Sequence, residues 1–361
     1  MAPIRVGFIG LSKSGWALNA HLPYLKASDK FEIVAIQNSS VESAQEAIET
    51  HGLPASTKAY GDPQDLANDP NVDLVVCSVR VDRHKATIVP SLKAGKDVYV
   101  EWPLGKSLAD AEEILSFKNP SAKGVVGLQA RQAPIIAKIK DVIAKGTIGD
   151  VLSSTWVAAA GNGGATTNEN YAYLGDKKVG GNLVTIHTGH AVDYVQQALG
   201  STFTSSTAVL ANRRPFVTLT KDDGTVITDK HPKTAEDTIF IQGTLGSSVP
   251  VQVSLRGGST FKGTPGLDWR IYGTKGELRI TAAGPFLQIG YPDQKIELHD
   301  VATDSVSVLD VLTDRWDDLP LPGRNVARVY EAIAGDAGRQ ELLCSFEDAV
   351  ERHRFLHKLD Q

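Results

Sequence analysis

The sequence predicts an α/β protein in two parts. A doubly wound parallel sheet occupies residues 1–125, and an α+β domain built on a largely antiparallel sheet with one open face occupies 126–361. Three observations carry this reading. Short apolar runs alternate with amphipathic stretches up to about residue 125; beyond residue 150 the hydrophobic period becomes two; and 361 residues, 42% of them hydrophobic, exceed what one ordinary core accommodates.

In chain order, IRVGFIG, FEIVAIQ, VDLVVCSV, KDVYVEW and KGVVGLQ read as strands, rich in valine and isoleucine as a sheet covered on both faces requires. Between them, SVESAQEAIETHG stops at Gly52 and RHKATIVPSLKAGK stops at Gly95, while SLADAEEIL starts from Ser107 with Asp110 at capping-box spacing. Pro23 and Pro90 fall inside helical patterns and predict kinks. Strand and helix repeated this way imply right-handed crossovers, with ligands at the carboxyl ends of the strands.

After the helix APIIAKIKDVIAKG (133–146) come VLSSTWVAAA, DTIFIQGTL, VPVQVSL, LDWRIYG, GELRITA and PFLQIGY, read as strands separated by turn residues. Val249, Val251, Val253 and Leu255 share one face; Pro250, Gln252 and Ser254 share the other. One helix, 183–200, interrupts this pattern, and two more close the chain at about 324–334 and 345–359, the last able to pack back on the first domain. The polar, glycine-rich stretch 161–182 reads as a functional loop over a cleft, with Tyr171 and Tyr173 reaching into it.

Composition narrows the function. Thirty-seven basic against 42 acidic side chains, a net charge of -5, and no basic block argue against direct nucleic-acid binding. The longest apolar runs are too short to span a membrane, and a strand pattern by Ile4 leaves no room for a signal peptide. Cys77 and Cys344 read as free buried thiols of a reducing compartment, so a cytoplasmic protein is expected.

The first strand runs into G-L-S-K-S-G. Gly10 supplies the tight turn and Gly15 the close helix packing of a G-x-G-x-x-G fingerprint, with Ser12 at the middle glycine, which predicts a dinucleotide-binding Rossmann domain. The second strand ends in Gln37, Asn38, Ser39 and Ser40, with no carboxylate to take a ribose hydroxyl or repel a 2′-phosphate. The cofactor is therefore NADP or NAD, with NADP preferred; Ser39 and Ser40 also suit a helix cap.

PIRVGFIGL, DLVVCSVRVDRHKATIVPSLKAGKDVYVEWPL, GLQARQAPIIAKIKDVIAKGTIGDV and GTKGELRI are similar, in order and spacing, to the glucose-fructose oxidoreductase, inositol dehydrogenase and rhizopine-catabolism family (Gfo/Idh/MocA). The resemblance implies an NAD(P)-binding Rossmann domain and a C-terminal domain that faces a small-molecule substrate and forms homo-oligomers, dimers included, through its sheet. VEWPLGKSLADAEEI, AGNGG, VTIHTGHAVD and KTAEDTIFIQGTL resemble the branch of the fungal galactose-pathway repressor, whose members bind the dinucleotide and act on a transcription factor.

The resemblance also assigns residues. Dehydrogenases of the family carry a Glu-Lys-Pro signature whose lysine lies beside the nicotinamide; here the positions are Glu101, Trp102 and Pro103. A second motif, Asp-x-x-x-His, ends on His190, with Ile186 in place of its aspartate. Gln129 and Arg131 match positions that in the family face the cofactor or substrate, Gln129 being assigned to the cofactor and Arg131 to the substrate, while Arg80 flanks the turn after VDLVVCSV, near where the cofactor's ribose should lie. His84 is expected to anchor the helix that follows it.

The remaining polar candidates for catalysis are His190, His187 three residues earlier on the same helical face, and Tyr173; Asp193 and Tyr171 join Arg131 as substrate contacts. No carboxylate or cysteine lies near enough in sequence to complete a metal site, so none is expected. Two readings stay open: an NAD(P)-dependent oxidoreductase acting on a sugar, polyol or related small carbonyl compound, and a catalytically silent NAD(P)-binding transcriptional regulator of cytoplasm and nucleus.

Overall fold

Strands that are apolar on both faces need cover on both sides, and in the computed structural model, which describes residues 2–13, 15–246 and 248–361, the N-terminal ones receive it. The chain divides into two units. The first comprises the residues up to Gln132 together with Asp314–His353, and the second Ala133–Thr313 with Arg354–Gln361.

In the first unit seven strands run in the order Cys344–Ser345, Gly124–Gly127, Asp97–Glu101, Leu74–Cys77, Ile4–Ile9, Phe31–Gln37 and Lys58–Tyr60. All pair in parallel except Cys344–Ser345, which is antiparallel to Gly124–Gly127. Strand order reverses beside Ile4–Ile9, so the loops after Ile9 and Cys77 flank the point where such sheets bind ligands.

The sequence grouped Asp314–His353 with the second domain; instead its helix Leu321–Ile333 closes the first core. Tyr330 stacks on Tyr24 with ring centroids 5.2 Å apart and meets Phe31 and Tyr99 edge-on. The division falls inside the last helix, Phe346–Leu359. The helix expected after Gly15 breaks where Pro23 predicted, into Trp16–Ala20 and Leu22–Ala27 with His21 between them.

The second unit holds an eight-stranded sheet in the order Ser305–Leu309, Lys295–Asp300, Gly276–Ala282, Leu267–Gly273, Val151–Ala160, Val249–Gly257, Thr238–Leu245 and Phe203–Ala211. Only Val151–Ala160 and Val249–Gly257 pair in parallel. Alternation is clean: Trp156, Ile241, Val253 and Trp269 are buried, while Val157, Phe240, Gln252 and Tyr272 are exposed on the other face. The helix Gly189–Leu199 packs on the buried face, where Tyr194 accepts a hydrogen bond from Trp156 Nε1 at 2.8 Å.

Two expectations need correction. PFLQIGY is a turn segment without ladder pairing; Leu287 is buried and Phe286, Ile289 and Tyr291 are half-buried, so the apolar run reflected partial burial and not a strand. The loop 161–182 contributes a strand, Thr166–Asn168, to a three-stranded sheet with Phe216–Thr220 and Val226–Pro232. The backbone of Gly175 accepts from Thr234 and Ala235 at 2.8 and 2.9 Å, so much of this stretch is tied down. Among the described residues no helix is long and apolar enough to cross a membrane.

Candidate cofactor and substrate sites

In the first unit the turn after Ile9 depends on glycine. Gly10 has φ +90°, and a Cβ there would lie 2.4 Å from Val79 Cγ1 and 2.8 Å from the Ser78 carbonyl oxygen. Gly15 has φ +102° at the start of helix Trp16–Ala20, and a Cβ there would meet nothing nearer than Ser12 Oγ at 4.0 Å, so its backbone conformation, and not the close helix packing expected from the fingerprint, is what calls for glycine. The turn is strapped to the second strand and helix. Asn38 Nδ2 donates to the carbonyls of Leu11 (2.9 Å) and Ser43 (3.1 Å), and His51 Nε2 lies 3.1 Å from the Ser12 carbonyl. Ser14, inside the fingerprint, lies outside the described residues.

These straps reassign side chains that the sequence offered to the ribose. Asn38 is spent on the two carbonyls, and Ser40 Oγ caps helix Val41–Thr50 by accepting from Ser43 N at 3.1 Å. Ser39 remains exposed. Arg80 forks onto Asp82 at 2.6 and 2.7 Å, beyond the fourth strand of the sequence.

Glu101, Trp102 and Pro103 follow the strand Asp97–Glu101. The Glu101 carboxylate accepts from His21 Nε2 at 2.9 Å and from Tyr99 Oη at 3.4 Å; His21 Nδ1 lies 2.8 Å from Tyr330 Oη. Trp102 is buried against His353, ring centroids 4.8 Å apart. Burial pushes the His353 pKa down to about 4, with His84 adding to the effect. His84 does more than anchor a helix: its ring spans two loops, Nε2 3.0 Å from the Val79 carbonyl and Nδ1 3.0 Å from that of Pro103.

Gln129 is buried, and its Oε1 has no hydrogen-bond partner among the described residues. Arg131 pairs with Asp348 at 2.9 Å. The glycine turn, the open space at Gly15 and the orphaned Gln129 oxygen fit a dinucleotide at the carboxyl ends of the strands.

In the second unit Asn182 starts the helical stretch. Its Oδ1 accepts from the amides of Val184 (2.9 Å) and Thr185 (3.0 Å), while Thr185 Oγ1 accepts from Asn182 N at 3.0 Å. Residues Leu183–Thr188 then form a π turn before the α-helix Gly189–Leu199. The wider turn changes the angle between the two histidines that α-helical spacing placed on one face, while leaving His187 near enough to act on His190. His187 lines a cavity; His190 is buried in the helix, with Nδ1 unpartnered among the described residues.

That cavity, about 370 Å³, lies between the 161–175 stretch and the three-stranded sheet. Its walls include Asn162, Tyr171, Leu174, Leu183, Val217 and His187. Asn162 Nδ2 lies 3.0 Å from His187 Nε2, and Phe286 packs on the same imidazole at 4.8 Å. Burial lowers the His187 pKa to about 4 and the His190 pKa to about 3; for His190 the nearby Asp193 opposes the shift and His187 adds to it. The cavity's charged walls are already neutralised: Lys233 binds Asp237 at 3.1 Å, and Glu236 binds Lys177 at 2.6 Å.

Tyr171 lines the cavity and is 56% exposed; Tyr173 sits in the adjoining turn Glu169–Gly175, partly exposed. Asp193 is buried one turn after His190. Sequence reasoning missed Asn162, His21 and His353. Asn162 sits in the AGNGG stretch already singled out, whereas the two histidines act through residues more than 200 positions away in the chain or 80 away, which no local pattern reveals.

Residues 4–123 match the oxidoreductase family with an NAD-binding Rossmann fold (GFO_IDH_MocA), and residues 134–282 match the C-terminal domain of Gal80p. The chain is 34% identical over 305 residues to the galactose/lactose metabolism regulatory protein GAL80 of Saccharomyces cerevisiae, covering 80% of this chain and 69% of that protein. It is 32% identical over 363 residues to dehydrogenase aclE of Aspergillus oryzae, covering 98% and 94%. A crystal structure of a super-repressor mutant of Gal80p from Saccharomyces cerevisiae superposes with a TM-score of 0.89 at 27% identity, covering 99% of this chain and 95% of that one.

Proposed function

Because the chain belongs to the Gfo/Idh/MocA oxidoreductase family, in the branch with a Gal80p-type C-terminal domain, we propose that it is an NAD(P)-dependent oxidoreductase acting on an uncharged sugar, polyol or related small carbonyl compound. The observation that carries this reading is the cavity of about 370 Å³ with the His187–Asn162 pair in its wall. A cavity of that size suits a single ring, and its paired charges offer a carboxylate or phosphate nothing to neutralise it.

A bound nicotinamide supplies or accepts the hydride. The chain's own residues hold the oxygen. With a pKa near 4, His187 is neutral at physiological pH, so one ring nitrogen donates and the other accepts. Asn162 Nδ2 donates to its Nε2, which leaves the His187 Nδ1–H as the pair's donor and Asn162 Oδ1 as its acceptor, both buried and without a hydrogen-bond partner among the described residues. In the reducing direction a neutral imidazole N–H would polarise the carbonyl without carrying charge, and the oxygen would draw its proton from a tyrosine hydroxyl or from water as the carbon gained the hydride, since a neutral imidazole keeps its own. Tyr173 and Tyr171 are the candidates for that hydroxyl, with His190 a further catalytic candidate and Asp193 and Arg131 as substrate contacts. We assign the dinucleotide to Gly10, Ser12, Gly15, Asn38, Ser39, Ser40, Arg80, Glu101, Trp102, Pro103 and Gln129, with Asn38 and Ser40 acting through the backbone they hold and NADP preferred. The assay is NADPH or NADH oxidation against neutral and anionic carbonyl compounds. Turnover of neutral rings supports the reading, and tight cofactor binding with no turnover of any compound overturns it.

A second reading, a dinucleotide-responsive regulator that binds a transcription factor, is favoured by Trp102, whose buried indole stands where the resemblance expects a lysine. Recovery of a transcription factor on the purified chain in an NAD(P)-dependent manner supports it. We also assign the exposed sheet face, with Val157, Val209 and Phe240 in one cross-strand row, to self-association, and the protein to the cytoplasm, or to cytoplasm and nucleus under the second reading.

A further inference from the structure

The C-terminal unit carries a second polar feature that hydride transfer does not use. Gly258 follows the strand Val249–Gly257 with φ +94°, and its backbone lies against Gly164. A Cβ placed on Gly258 would have as its nearest atoms Gly164 Cα at 3.6 Å, Arg214 Nη2 at 3.9 Å and Arg256 Nη1 at 3.9 Å. Two guanidinium groups therefore converge on one point, over a floor of two glycines, and all three contacts are at ordinary van der Waals distance.

Neither arginine has a carboxylate partner among the described residues. Arg256 is held by its own loop, donating to the carbonyls of Ser259 (2.8 Å) and Gly257 (3.4 Å). Arg214 is placed through its backbone N–H, which donates to Asp237 Oδ2 at 2.8 Å. That carboxylate is itself buried and paired with Lys233, so it does not reach out to neutralise a guanidinium. Arg256 is exposed and Arg214 half-buried, so the two like charges repel each other only through a screening solvent, and an anion between them would turn that repulsion into attraction.

We propose that Arg214 and Arg256 form a clamp for a small oxyanion, a carboxylate or phosphate group, seated over Gly164 and Gly258. The planar Arg214 guanidinium offers paired N–H donors that match two oxygens of such a group, Arg256 adds the N–H groups that its two loop carbonyls leave over, and the missing side chains at both glycines let the anion approach the backbone. Gly164 also lines the cavity, so the clamp adjoins it, but the clamp uses neither the His187 side chain nor the cofactor and does not depend on the reading given to them.

The test is calorimetric titration of the full chain, without cofactor, with inorganic phosphate and separately with malonate at constant ionic strength. Saturable one-to-one binding of either anion is expected, weakened at least tenfold by Arg214→Met or Arg256→Met and lost in the double variant. Lys145→Met, which removes an exposed charge elsewhere, leaves it unchanged. Preference for phosphate or for malonate tells which oxyanion the clamp takes. Circular dichroism establishes that the variants are folded; if Arg256→Met unfolds the unit, Arg256→Lys, which keeps the charge and loses the fork, must still weaken binding severalfold. No saturable binding, or equal weakening by Lys145→Met, would mean an adventitious ion only and overturn the proposal.

Discussion

Trp102 and His353, 251 positions apart in the chain, lie ring to ring at 4.8 Å and 41°, and His353 Nε2 accepts from the Gly105 amide at 3.5 Å. The indole is thus a packing element of the first unit. Trp102→Ala should cost about 3 kcal/mol of that unit's stability, and Trp102→Phe less than half of it. Urea unfolding followed by circular dichroism measures both; equal costs would show that the ring contact contributes nothing.

Acid should destabilise the fold in a defined window. His353, His187 and His190 have folded pKa values of about 4, 4 and 3. All lie below the unfolded value near 6.5, so the unfolded state binds more protons between those limits. Their contribution to stability is whole above about pH 6.5 and is lost as pH falls toward 4, on the order of 2 kcal/mol for a fully buried histidine by pH 5. The urea midpoint should fall over that range, and His353→Phe, which keeps a ring on Trp102, should flatten the slope.

Gly10→Ala combines an unfavourable φ of +90° with a 2.4 Å approach to Val79 Cγ1, so the turn must move. NAD(P)H binding, read by nicotinamide fluorescence, should weaken at least tenfold. Gly52→Ala is the control, since Gly52 has φ +59° and no atom near its Cβ position. It should lose stability but keep cofactor affinity.

His187→Phe should lower turnover by roughly 10² with little change in cofactor affinity, as removal of a positioned proton-transfer or polarising group does. Asn162→Ala should act in the same direction but more weakly. Unchanged turnover in both variants would move the chemistry to His190 or Tyr173.

Phe240→Glu, on the exposed sheet face one strand in from the edge, should shift the protein toward monomer in light scattering at micromolar concentration while changing the unfolding free energy of the monomer by no more than about 0.5 kcal/mol. A wild type that is already monomeric would refute the assignment of that face.

Sequence periodicity revealed the N-terminal strands because each is apolar on both faces, and the fingerprint turn because Gly10 and Gly15 keep its spacing. Phe203–Ala211 and Val226–Pro232 were invisible: their exposure leaves them polar or irregular, so alternation is weak. The return of Leu321–Ile333 to the first core was equally hidden, since an amphipathic helix does not announce which sheet it covers. At the candidate site, residue type located His187, but the π turn that carries it, which opens on the Asn182 and Thr185 cap, has no periodic signature.

Tyr330 has a consequence for how the chain reaches its native state. It fills the aromatic cluster of Tyr24, Phe31 and Tyr99, yet the ribosome makes it some 300 residues after Tyr24. The nucleotide unit is therefore left without its last wall through most of synthesis. A fragment ending at residue 132 should expose these rings and aggregate, whereas adding 314–353 in trans should rescue it.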